Sequence, residues 1–324
     1  MSSGSLQRLE ARAKKLEASA AIFKSVRSAC MRIWADSYKF PRAIRIRRPF
    51  VLVRRKPLGL ILEAIELPER YAPSWGRSPL TSLISSRGIA LQLYLICLFE
   101  AQCRCRPGVE PMNNRPLQPQ HGSVSWLDLL ATTAVAKAPA TPRDNRLRQM
   151  KKALLHLERE LLIEIPGGRH VNGRFQGFRL LNESGLPTET RSLVRYTVPT
   201  EEEDTIELPV DFFLNGWVHV LSPAEIATYL MLLDLRKQHR EVHDSHGIFS
   251  PTHIREGIYG LSRDSYESHR SLVKFGLIEK MPNMYRRDDG KVTTFKVRFE
   301  SHHFKVNPYA HMNDPLEVIP NAIR

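Results

Sequence analysis

The chain is poor in the groups from which secreted proteins, membrane proteins and most enzymes are built. Four cysteines in 324 residues, Cys30, Cys97, Cys103 and Cys105, are too few for a disulfide framework. Cys103 and Cys105 are spaced C-x-C with no second pair downstream to complete a zinc site, so reduced intracellular thiols are expected. The longest apolar run, Ile89–Phe99, includes Gln92 and falls far short of the ~20 residues of a membrane span. The charged N-terminus has no signal-peptide core. A soluble, cytoplasmic and nucleoid-associated protein is the expectation, with no membrane partner.

Catalytic patterns are missing too. There is no phosphate-cradling glycine loop, no Gly-x-Ser-x-Gly, no His-Glu-x-x-His and no acidic set with metal-nuclease spacing. His239, His243 and His246 are spaced 4 and 3 apart and on a helix could share a face around a metal. They fall where a helix should end, which favours an exposed polar loop. Tyr259, Tyr266 and Tyr285 lack the clustered Arg-His-Arg partners of a tyrosine strand-transferase. The expectation is a non-enzyme without cofactor or metal.

Acidic residues are scarce in one place. Residues 1–56 hold 15 Lys/Arg and 3 Asp/Glu, against 33 and 31 in the remainder, so the net charge of +14 is concentrated in a basic N-terminal segment. Such an excess points to a polyanion.

The local signals agree best between Leu221 and Glu300. Ser222, Pro223 and Glu225 make a capping box with proline at the first helical position, and an apolar helix follows from Ile226. Ser250-Pro251 opens a second helix, and Ser262 or Asp264 a third that ends at Phe275-Gly276. Two extended runs follow, Leu277–Lys280 and Val292–Phe299, joined by a polar loop. Ile258-Tyr259-Gly260-Leu261-Ser262 supplies the turn between the second and third helices. On the third helix Tyr266, His269, Leu272, Val273 and Gly276 share one side, and Arg263, Glu267, Arg270 and Lys274 the other. The charged side could read bases in a major groove, or it could be a solvated face with Glu267 pairing to the arginines. Arg286, Arg287 and Lys291 flank the tip of the hairpin, where it would meet phosphate.

Earlier in the chain, residues 5–35 read as a basic amphipathic helix that could dock on the body, pair with a second copy or lie along nucleic acid. Arg42, Arg45, Arg47, Arg48, Arg54, Arg55 and Lys56 follow without an acid, in two short basic strands or an extended arm, a pattern that can track phosphates. Prolines make 57–79 a connector. Ile84–Cys103 is a core helix, and 106–123 a mobile loop. Thr141-Pro142 then opens a long helix to about Glu160. Its buried stripe is Leu147, Met150, Leu154, Leu157 and Leu161, and opposite lie Asn145, Arg148, Gln149 and Lys152, which can read adenine, guanine or phosphate. Leu162-Ile163-Glu164-Ile165-Pro166 corresponds to Leu277-Ile278-Glu279-Lys280-Met281-Pro282, so 80–182 reads as a divergent copy of 206–307, with Arg169 and Arg174 in its hairpin. Residues 183–205 link the two, and the tail from 308 to 324 is loosely held.

Residues 80–182 and 206–300 together resemble the winged helix-turn-helix superfamily, on element order and on Ser262-Arg263-Asp264-Ser265-Tyr266 leading to Gly276-Leu277-Ile278-Glu279. The resemblance implies a mainly α fold with small β-hairpin wings (α+β): two tandem winged helices behind a basic arm at 1–56. It implies sequence-specific binding of double-stranded DNA, with transcription regulation as the role and a homodimer as one assembly. Two winged helices in one chain also resemble bacterial plasmid replication initiators. A winged-helix scaffold for a protein partner, and RNA binding through the arm, are the further alternatives.

Overall fold

In the computed structural model, residues 3–55, 70–71, 73–84, 88–120, 122–132, 141–167, 171, 173–186, 192–282 and 302–322 are described. Helices α1 (Ser3–Ala18) and α2 (Ala20–Ala35) lead into strand β1 (Ala43–Arg47). Next come α3 (Pro79–Ile84), α4 (Ala90–Arg104), α5 (Pro142–Arg159), β2 (Ile163–Glu164) and β3 (Arg179–Leu180). Then follow β4 (Thr205–Pro209), α6 (Asp211–Leu214), α7 (Trp217–Val220), α8 (Pro223–Gln238), α9 (Arg240–His246) and α10 (Thr252–Gly257). Last are α11 (Arg263–Tyr266), α12 (His269–Lys274), β5 (Ile278–Lys280), β6 (Phe304–Val306) and α13 (Pro315–Asn321). The described chain is mainly α with three two-stranded antiparallel sheets, the coarse fold class expected.

Two helices form the centre. In α4 the run Leu93–Ala101 is buried throughout, and in α8 everything from Glu225 to Leu235 is buried. A helix apolar on all sides must be enclosed by neighbours. Around α4 these are α2, α5 and β1, and around α8 they are α3, α11, α12 and β4. Phe99 stacks on Phe213 and Phe50 on Tyr94, with centroids 5.0 and 5.2 Å apart. Most of the buried apolar side chains, from Leu9 to Ile319, form one contiguous cluster.

Of the two readings of the extended basic segment, the strand holds for its first part and the free arm does not. That part is β1, and it pairs with β4 so that Ile44 faces Leu208 and Ile46 faces Ile206, all four buried. Alternation along the strand sends the isoleucines inward and leaves Arg45 opposite Glu207. The basic N-terminal helix breaks into α1 and α2 around Ser19 and docks on the body. Arg12 holds the Glu225 carboxylate through two bonds of 2.8 and 2.9 Å, and its guanidinium lies 5.0 Å from the Phe275 ring centre.

Both copies of the expected repeat end their helices in the same way. Leu161 and Gly276 take left-handed backbone, with φ of 59° and 71°. The next amide in each closes back over the last turn, Leu162 N–H to Leu157 O and Leu277 N–H to Leu272 O, both 3.0 Å. This is the Schellman closure of a helix C-terminus. Each chain then enters a hairpin, Ile163 opposite Leu180 and Ile278 opposite Val306. In the second copy Ile248 also bridges to Phe304, adding a third short strand position ahead of α10.

Four local expectations are corrected. His239–His246 is not an exposed loop: it holds α9, where buried His243 accepts the Val306 N–H on Nε2 at 2.9 Å while Nδ1 faces Asp244. His239 and His246 are exposed while His243 is buried, so the three differ in environment. The tail is held, because Trp217 Nε1 donates to Asn313 O at 3.1 Å and Ile319 of α13 is fully buried. The 106–123 loop is pinned, since Asn113 bonds both Phe178 O and Trp126 Nε1. The third helix of the second copy is two helices, α11 and α12, with 3-10 bonding at Ser268–Ser271. Ser268 Oγ bonds Ala224 O and Thr228 Oγ1 of α8, and Thr228 Oγ1 takes the Ser265 carbonyl, so α8 competes for the groups a straight helix would pair.

Candidate nucleic-acid interface

Helix α5 is built to present its outer side. Thr141 Oγ1 accepts the Asp144 N–H and the Asp144 carboxylate accepts the Thr141 N–H, a complete capping box with Pro142 at the first turn. The hydrogen bonds from the Thr141 hydroxyl and amide hold the Asp144 carboxyl below its usual range. Arg146 reaches back to Leu127 O, Leu130 O and Thr132 Oγ1, fixing the start of the helix against the preceding 3-10 turn at Leu127–Leu129. Met150, Leu154 and Leu157 are buried against α4, as their spacing predicts, and Leu161 is buried beyond the helix end.

Opposite them Arg148, Gln149 and Lys152 are exposed, together with Arg159. Arg148, Gln149, Lys152 and half-buried His156 converge with Gly88–Ala90, at the start of α4, on an open cleft of roughly 700 Å³. Asn145 departs from the expected reading set. It is buried, and its side-chain oxygen accepts from Arg148 at 2.8 Å, so it steers Arg148 rather than meeting a ligand.

The α11–α12 pair offers a less open surface. Arg263 is exposed, and Arg270 is largely exposed but bonded to Glu267 at 2.8 Å. An exposed pair of this kind contributes ~0–1 kcal/mol and exchanges readily for another anion. Lys274 is half-buried and interacts within the chain. His269 lies between the Tyr266 and Phe304 rings; desolvation lowers its pKa, and Nδ1 contacts Tyr266 O at 2.6 Å.

The expected phosphate contacts divide sharply. Arg47 is buried with Glu183 at 2.8 Å and also bonds Glu203, and Arg54 is buried with Glu160 at 2.9 Å. Arg48 bonds buried Asp234, which also accepts the Tyr259 hydroxyl at 2.6 Å. Arg45 sits 3.4 Å from both Glu201 and Glu207. Arg47, Arg48 and Arg54 are therefore corrected to internal ion pairs. Carboxylates from residues far along the chain already pair with them, and leaving those partners would strand buried charge. Arg42 and Arg55 remain exposed. Lys56, Arg169, Arg286, Arg287 and Lys291 lie outside the described residues, as does the apolar stretch Leu58–Ile65.

A second cleft, of roughly 670 Å³, gathers cations the sequence did not single out. Arg70 and Lys151 join Arg159 and Arg174 there, with Phe175 between Lys151 and Arg174 at 5.6 and 5.0 Å from its ring centre. Arg174 also approaches Glu158 at 3.8 Å; burial raises the Glu158 pKa, partly offset by the Ile165 N–H. Lys151 escaped notice because it falls between the two wheel faces of α5. Arg70 escaped because it is brought in across the fold. No helix among the described residues is long and apolar enough to cross a membrane. No family model, no curated protein and no solved structure matches the chain.

Proposed function

We propose that this chain is a sequence-specific double-stranded DNA-binding protein made of two winged-helix units, acting in transcription regulation. In this reading α5 and the α11–α12 pair enter major grooves, and the hairpins after them approach the flanking phosphates. The observation that carries the reading is the outer face of α5. An 18-residue helix, capped at its start and buried along one stripe, holds Arg148, Gln149 and Lys152 in the open at one cleft. The matched helix closures at Leu161 and Gly276, with a hairpin after each, support the two-unit reading.

The experiment is a titration of the full chain against a pool of random duplexes, with sequencing of the bound fraction and a salt series on the winner. With Arg47, Arg48 and Arg54 committed internally, contact to ~4–6 phosphates gives a logarithmic salt slope of about −4 to −5. Enrichment of no sequence, with a slope near zero, rejects the proposal. A replication initiator would differ by selecting repeated sites within a plasmid or phage origin and by being required to maintain it.

A further inference from the structure

We propose that the turn joining α2 to β1 is a binding surface for single-stranded nucleic acid, separate from the helix faces assigned to duplex DNA. Tyr38 and Phe40 stand 57% and 52% exposed there, two residues apart. Phe40 is also one of two non-glycine residues among those described with positive φ, at 46°. Left-handed backbone is disfavoured for a bulky side chain and is kept only where the surroundings impose it.

The surroundings here do impose it. The Phe40 N–H donates to Ser37 Oγ at 3.0 Å, Trp34 Nε1 donates to Pro41 O at 3.1 Å, and the Trp34 and Phe40 rings meet edge to face at 5.2 Å. On the other side, the Tyr38 N–H bonds Cys103 O near the end of α4. The Arg42 carbonyl accepts the Val210 N–H at 2.9 Å. The turn is a rigid platform, and about half of the Tyr38 and Phe40 surface stays open to solvent on it.

Cations surround the rings. The Arg106 guanidinium lies 4.3 Å from the Tyr38 ring centre and the Lys39 ammonium 5.9 Å from it. Arg42 is exposed two residues beyond Phe40 in the chain, whereas Arg104 is engaged by Glu100 and the Met112 carbonyl. Of the nearby acids Asp36 and Glu110 are exposed, while Glu100 is buried with Arg104 and Arg115. Basic groups therefore prevail.

Exposed rings interleaved with lysine and arginine fit a chain of unpaired bases linked by phosphates: the bases stack and the cations follow the backbone. A duplex covers the faces of its own bases and would leave both rings unused. Protein interfaces also favour Tyr, Phe and Arg but are depleted in lysine, and Lys39 stands between the two rings in the chain.

The test is fluorescence anisotropy of the full chain with labelled oligo-dT of about 20 nucleotides, oligo-rU of the same length, and the dT·dA duplex. Tyr38→Ala and Phe40→Gly are expected to weaken oligo-dT binding roughly tenfold per ring and to leave duplex binding unchanged. Comparing oligo-dT with oligo-rU separates DNA from RNA as the natural strand. Phe40→Gly relieves the left-handed backbone, so its melting temperature should hold or rise, which distinguishes loss of binding from loss of fold. Wild-type protein that ignores oligo-dT at low salt overturns the proposal. So does a double variant that binds like wild type, or one that changes only the oligomeric state in sedimentation.

Discussion

Arg54 and Glu160 meet at 2.9 Å with side chains only 1% and 3% exposed, joining the end of the basic segment to the cap of α5. Ser74 adds its hydroxyl and its backbone N–H to the same carboxylate. Burial opposes ionisation of Glu160, but Arg54 and Ser74 outweigh it and hold the carboxyl below its ordinary range. A depressed folded pKa means the pair stabilises fully above the unfolded carboxylate pKa of ~4.3, and the contribution is lost as pH falls through the folded value. Glu160→Gln is expected to lower stability at neutral pH by about 3 kcal/mol and to flatten its fall towards acid. Urea unfolding from pH 7 down to about pH 3 measures both, and equal acid slopes for variant and wild type would refute the assignment.

Arg47 should behave as a structural residue. Arg47→Ala leaves Glu183 as a buried carboxylate without its partner, so a loss of ~3–5 kcal/mol in unfolding free energy is expected. Under conditions where the variant stays folded, its DNA affinity should match wild type. A variant of unchanged stability but weakened DNA binding would restore the phosphate role.

Arg148 and Lys152 should behave in the opposite way. Both are exposed, so Lys152→Ala is expected within ±0.5 kcal/mol of wild type in stability, and Arg148→Ala, which takes a donor from buried Asn145, about 1 kcal/mol below it. Each should reduce the salt slope of duplex binding by about one if it meets phosphate. Where it reads a base, it should instead relax preference at one position by ~1–3 kcal/mol. Salt titrations on the selected site and on single-base variants of it separate the two outcomes.

Gly276 closes α12 at φ 71°, and a Cβ placed there would meet nothing within 4 Å. Gly276→Ala therefore has no steric neighbour to disturb, and its whole effect is the left-handed backbone, a loss of ~1–2 kcal/mol. A neutral result in thermal unfolding would mean that the helix end can reclose without that conformation.

Local patterns were readable in advance where they fix structure locally. Thr141 with Pro142, Ser222 with Glu225, the apolar stripe of α5 and the glycine closing α12 are all settled within a few residues of chain. The basic segment was misread because strand pairing and charge neutralisation both act at long range. Arg47 meets a carboxylate 136 residues away, and β1 meets a strand more than 150 residues away. Window counting saw cations without acids, whereas folding supplies the acids from elsewhere. The break between α11 and α12 was hidden for a similar reason, since the hydroxyl that competes for the helix carbonyl belongs to Thr228 of another helix.

The pairing of β1 with β4 bears on how the molecule can be dissected. A fragment beginning at residue 57 would not be the same body without an appendage. It would have an unzipped edge along Thr205–Pro209, and Glu160, Glu183 and Asp234 would be sealed inside with no counterion. Surgery on this chain is better done one side chain at a time, and an inactive truncation would report a ruined interior, not a missing ligand contact.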